Sequence, residues 1–163
     1  MGLEIDRAHR FHHRELTVQR IGVLVVVGFL LAAVLGAFGG AGPLSSTVRP
    51  AADAAFDLAY HRFVHRETDE RLTISVAGEA VTQEYVDLEV AASWLDKVQV
   101  TVVTPEPDTQ TGAAGGVRFR LPADPGAPLT VGIHFRAIET GPLDGWVRVV
   151  PGERTSFTQY VFP

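Results

Sequence analysis

The distribution of apolar positions divides the chain into two unlike parts. From Ile21 to Gly40 nearly every residue is apolar, and no charged side chain occurs between Arg20 and Arg49. At about 1.5 Å of rise per residue, some twenty such residues make roughly 30 Å of helix, the thickness of a bilayer's hydrocarbon core. A core helix this greasy would need covering on every side, and the rest of the chain is too short to do it. Gly39-Gly40-Ala41 has the small residues of a signal-peptide cleavage site. The apolar run, however, exceeds the roughly 7–15 residues of a signal peptide's hydrophobic region. The pattern therefore predicts a retained transmembrane helix over 21–42, with a cytoplasmic juxtamembrane segment over 1–20 and a linker over 43–53. Arg7, Arg10, Arg14 and Arg20 precede the apolar run, and only Arg49 follows closely. That asymmetry predicts an inner (cytoplasmic) membrane protein with its N-terminus in the cytoplasm and its C-terminal domain outside. On a helix, Arg7, Arg10 and Arg14 share a stripe suited to anionic headgroups of the lipid bilayer.

From residue 54 to 163 the period changes to two. "FDLAYHRFV", "LTISVAG", "EYVDLEVA", "KVQVTVVTPEPD", "GVRFRL", "LTVGIHFRAI", "GWVRVV" and "TSFTQYVF" are short β-rich runs separated by Gly, Pro and Asp. Eight strands at this spacing predict an all-β fold, an antiparallel β-sandwich of immunoglobulin-like type. "ASWLDKV" fits one helical turn. The last run reaches the final residues, so the C-terminal strand is expected to be docked in a sheet.

The apolar segment also has two faces. Gly28, Ala32, Gly36 and Gly40 recur every fourth residue, with Ala33 and Ala37 in the same semicircle, while Leu30, Leu31, Val34, Leu35 and Phe38 lie opposite. Small residues at this spacing allow close helix approach, which predicts docking on a multi-pass membrane protein or self-association.

Composition narrows the function. The chain is 46% hydrophobic and 20% charged, which excludes a disordered or fibrous protein. It has no Cys, which excludes a disulfide framework, a thiolate zinc site and a haem-attachment motif. After Gly40, ten basic side chains face sixteen acidic ones, a net charge of −6 that argues against nucleic acid as a partner.

Candidate chemistry is sparse. His61 and His65 have a helical zinc spacing, but on a strand they share a face about 13 Å apart, too far for one metal. His9, His12 and His13 lie among arginines that repel a cation. "HRETDER" (residues 65–71) is a charged connection without the EF-hand pattern. Asp87 and Glu89 share a strand face as ordinary exposed carboxylates. "TGAAGG" (residues 111–116) lacks the Lys and Ser or Thr of a phosphate loop and reads as a flexible hairpin connection. No serine lies in a nucleophile elbow.

"HHRELTVQRIG", "GPLS", "WLDKVQVTVVTPEPD" and "FTQYVFP" together resemble a family of uncharacterised bacterial single-pass membrane proteins with a small exported β domain. The resemblance implies a non-enzymatic accessory membrane protein and assigns no site residue. The expected function is a single-pass accessory subunit of a membrane protein complex, with no cofactor and no catalytic residue. The alternative is an exported ligand- or metal-binding domain in which folding gathers His61, His65 and His134.

Overall fold

The computed structural model describes residues 5–35, 46–51 and 55–163, with the side chains of the N-terminal helix described from Val18 onward. That helix, α1, is continuous from Ile5 to Val34. It is followed by β1 (Ser46–Pro50), β2 (Phe56–His61), β3 (Phe63–His65), β4 (Asp69–Val76) and β5 (Tyr85–Ala91). Next come α2 (Ala92–Leu95), β6 (Val98–Thr104), β7 (Thr109–Ala113), β8 (Gly116–Pro122), β9 (Leu129–Ala137), β10 (Gly141–Val149) and β11 (Thr155–Phe162).

The strands form two sheets, one ordered β1-β2-β4-β9-β6 and the other β3-β11-β10-β5-β8-β7. The all-β reading and the sandwich are both present. Alternation decides which face is buried: Leu72, Ile74 and Val76 on β4 and Val131, Ile133 and Phe135 on β9 pack inward from the first sheet. Val86, Leu88 and Val90 on β5 and Phe157 and Val161 on β11 meet them from the second. The pairings are antiparallel except β3 with β11, which run parallel.

Trp94 on α2 is fully buried and closes one end of the core, edge-on to Phe135 at 4.8 Å and Phe157 at 5.9 Å. Its indole Nε1 donates to Gln159 Oε1 at 3.2 Å, and Gln159 Nε2 donates to the His61 carbonyl at 2.8 Å. A buried amide therefore has a partner for both its ends, as burial requires. Gly145 lies beneath this cluster; a Cβ there would come within 2.8 Å of Phe157 and 2.9 Å of Trp94.

Three local readings change. "FDLAYHRFV" is two strands in different sheets: the chain bends at Arg62, so β2 pairs with β4 while β3 joins β11. In β6 a bulge between Val100 and Val102 shifts the register against β9. The extra residue reverses the alternation, leaving Val102 half exposed and packing Val103 against the core. Thr111 to Ala113 belong to β7, and the connection to β8 is Ala114-Gly115, with Gly115 at φ +82°.

Among the described residues no helix is long and apolar enough to cross a membrane. This overturns the expected anchor over 21–42 and the placement in the inner membrane. The first half of α1 is rich in charge, and its apolar part, Ile21 to Val34, is fourteen residues. At about 1.5 Å per residue that is roughly 21 Å, short of a hydrocarbon core of about 30 Å.

Candidate functional site

The chemistry of the molecule concentrates on the outer face of the six-stranded sheet, where register brings opposite charges together. Glu89 on β5 stands opposite Arg118 on β8 and Arg148 on β10. Directly opposed side chains in a sheet have Cβ atoms about 5 Å apart, within reach of a fork-shaped guanidinium. Arg118 Nε and Nη2 donate to Glu89 Oε1 at 2.9 and 2.6 Å. Arg148 Nε donates to Oε2 at 2.9 Å, and its Nη2 bonds the same oxygen. Two residues earlier, Arg120 Nε and Nη2 donate to Asp87 Oδ1 and Oδ2 at 2.9 and 3.1 Å.

Glu89 is 1% exposed, against 38% and 31% for the Arg118 and Arg148 side chains that cover it. Burial pushes its carboxyl up, but the hydrogen bonds from Arg118 and Arg148 and their charges outweigh burial and hold it below the usual glutamate range. The Asp87 carboxyl is likewise lowered, chiefly by its bonds from Arg120. Carboxylates locked in the ionised form as acceptors are poor general acids at neutral pH. They orient guanidiniums instead.

Aromatic rings border the ladder. The Arg120 guanidinium lies 4.2 Å from the centroid of Tyr85, and that of Arg154 lies 4.0 Å from the centroid of Trp146. Trp146 is laid over Gly116, where a Cβ would come within 3.1 Å of the indole and 2.4 Å of the Val90 carbonyl. A cavity of about 120 Å³ opens between Asp87, Thr109, Thr111, Arg118 and Arg120. A second, larger cleft of about 690 Å³ separates the edge strands β6 and β7, with Leu95, Val100, Val103, Val117 and Phe119 among its walls.

The reading of Asp87 and Glu89 as ordinary exposed carboxylates is therefore corrected for both: Glu89 is buried under two arginines, and the Asp87 side chain is mostly buried against Arg120. A signal for the pairing was present. The acidic pair at i, i+2 in "EYVDLEVA" matches the basic pair at i, i+2 in "GVRFRL", a spacing that puts each pair on one face of its strand, where neighbouring strands can oppose them.

The histidines are not gathered. His61 ends β2 in one sheet, where its Nδ1 lies 2.9 Å from Glu70 Oε2. His65 is in the other sheet, its ring 5.9 Å from that of Phe162. The expected shared strand face is lost at the bend of Arg62. His134 lies on β9, opposite Arg71. Among the described residues no group of three His, Asp or Glu has the geometry to hold a metal. Of "HRETDER" only residues 66–68 connect strands, since His65 ends β3 and Asp69 begins β4; Asp69 accepts from Arg136 Nε at 2.6 Å and Nη2 at 2.9 Å, and Arg66 Nη2 donates to Glu67 at 3.0 Å.

In α1, Arg20 is exposed, as are the other residues from Val18 to Val34 apart from Ala32, which is half-buried. Gly28 and Ala33 are among the exposed ones, and a Cβ at Gly28 would meet nothing within 4 Å. Gly36, Ala37 and Gly40 lie outside the described residues, as do the side chains of Arg7, Arg10 and Arg14.

No protein-family model matches the chain, and no curated protein matches it in sequence. Among solved structures it is similar to the cohesin module of a family 33 glycoside hydrolase from Clostridium perfringens, at 10% identity and TM-score 0.43, over 72% of this chain and 95% of that one. ChBD3 from Thermococcus kodakarensis aligns at 16% identity and TM-score 0.39, over 63% of this chain and 92% of that one. The cupredoxin domain of amoB from Nitrosocaldus yellowstonii aligns at 10% identity and TM-score 0.36, over 60% and 58%. At these scores the likenesses carry nothing about function.

Proposed function

We propose that the protein is a non-enzymatic accessory subunit. It docks through the apolar half of α1 onto a second copy of itself, and its immunoglobulin-like sandwich presents the six-stranded sheet to a partner. One observation carries this reading: the apolar side chains of α1 are exposed, with Val18 at 70%, Leu24 at 70% and Val34 at 75%. Each Å² of such surface removed from water stabilises by about 25 cal/mol, and contiguous exposed apolar patches mark interaction sites. A second α1 supplies a matching apolar surface, and the small-residue side at Gly28 and Ala32 allows the two helices to approach closely. Replacing Gly28→Leu together with Ala32→Leu puts bulk on that side while keeping the helix apolar. The expected result is dissociation at least tenfold easier, read as the concentration at which the oligomer splits in sedimentation velocity. Unchanged association of the double variant would remove the small-residue face from the account.

The cleft between β6 and β7 favours a second reading, an apolar ligand bound within the sandwich. Its volume of about 690 Å³ lies within the roughly 300–1,000 Å³ of small-molecule sites. Under this reading Val102→Asp, which puts a charge on the half-exposed part of the cleft wall, abolishes the fluorescence gain of an added apolar dye. An equal gain in the variant counts against it.

A further inference from the structure

We propose that the small cavity on the β5-β8-β7 side of the ladder is a seat for a tetrahedral oxyanion, a phosphate or sulfate group. This goes beyond helix docking and does not depend on it. Arg118 and Arg120 stand two apart on β8, on the same face, opposite Thr111 and Thr109 of β7. Each guanidinium directs Nε and Nη2 to its carboxylate, Arg118 to Glu89 and Arg120 to Asp87. Among the described residues no protein acceptor takes the Nη1 group of either.

The cavity is lined by the two arginines, the two threonines and Asp87. Two arginines and two threonines at facing positions of neighbouring strands line one volume, and these residue types carry the several donors that an anion with several acceptor oxygens requires. The guanidiniums are already fixed in direction by their carboxylates and by the Tyr85 ring against Arg120. Little side-chain freedom is therefore left to lose on binding.

Around the cavity Arg118 is matched by Glu89 and Arg120 by Asp87, and the one surplus positive charge is Arg148, the second guanidinium on Glu89, across β5 from the cavity. Asp87 forms the opposing charge in the wall, and both of its oxygens accept from Arg120. Asp108 also acts on Arg120 electrostatically. These acidic neighbours limit the site to modest affinity and make it sensitive to salt.

The test is a titration of the isotopically labelled full chain with inorganic phosphate at constant ionic strength, followed by the amide signals of residues 109, 111, 118 and 120. Phenyl phosphate forms a second arm. The expected result is saturable displacement of those signals, absent with sodium chloride. Tighter binding of the ester would identify a phosphorylated molecule as the source, and equal binding would identify the free ion. Arg120→Gln, and separately Thr109→Val with Thr111→Val, should each weaken binding about tenfold. The threonine variant leaves every ladder bond in place and so keeps the test independent of folding. Displacements that chloride reproduces, or equal affinity in the threonine variant, would overturn the site.

Discussion

Removing Phe157 to Pro163 is expected to leave the sandwich without a cooperative thermal transition. The segment supplies most of β11, which lies inside its sheet between β3 and β10. It carries Phe157, Gln159 and Val161, each at most 2% exposed. Phe157 alone packs against Tyr60 at 5.3 Å and against Trp94. Truncating one buried aromatic residue costs about 3–5 kcal/mol, and a whole domain holds only about 5–15. The deletion also orphans Trp94 Nε1 and the His61 carbonyl, both partners of Gln159. Circular dichroism during heating measures the outcome. A truncated chain melting at the original temperature would contradict the strand's place in the core.

Glu89→Gln is expected to destabilise the folded chain by about 2–4 kcal/mol. The variant keeps the shape but replaces an oxygen that accepts from a guanidinium with an amide that donates toward it. Two arginines then face each other across a neutral group. The figure stays below the upper range for broken buried pairs because both guanidiniums are about a third exposed and can turn to water. For a domain of this size the melting temperature should fall by roughly 10 °C.

The same residue fixes an acid response. Its folded carboxyl titrates below the free-glutamate value of about 4.3. The unfolded chain therefore binds the proton first as pH falls. The stabilisation is complete above the unfolded value and is lost as pH drops through it toward the folded one. Urea midpoints at pH 7 and pH 3.5 should differ less in Glu89→Gln than in the parent. An equal difference would show that the triad has no part in acid sensitivity.

The sandwich was legible wherever a strand buries one face. Leu72, Ile74 and Val76 alternate because water lies on one side of β4 and the core on the other. β1 and β7 were not legible for the same reason. "STVRP" and "TQTGA" place no apolar residue at alternate inward positions, and they are strands only because β2 and β8 offer them free edges. Period alone also ran β2 into β3, since Val64 resumes the parity of Phe56, Leu58 and Tyr60 after the single polar Arg62. The apolar run was legible as helix as far as Val34, but its expected role as a membrane span was not upheld over the described part. Glu89 was hidden because a charge reads as exposed until its partners are known. Those partners are 29 and 59 positions away, and pairing by strand register alone brings them together.

The central claim is that the apolar half of α1 joins two copies of the chain. Sedimentation equilibrium of the full chain at micromolar concentration tests it most directly. The account predicts a mass of at least twice 17.6 kDa, falling toward one chain when Leu24 and Leu31 are both replaced by Glu. A full-length chain that stays at 17.6 kDa across the concentration range would contradict it.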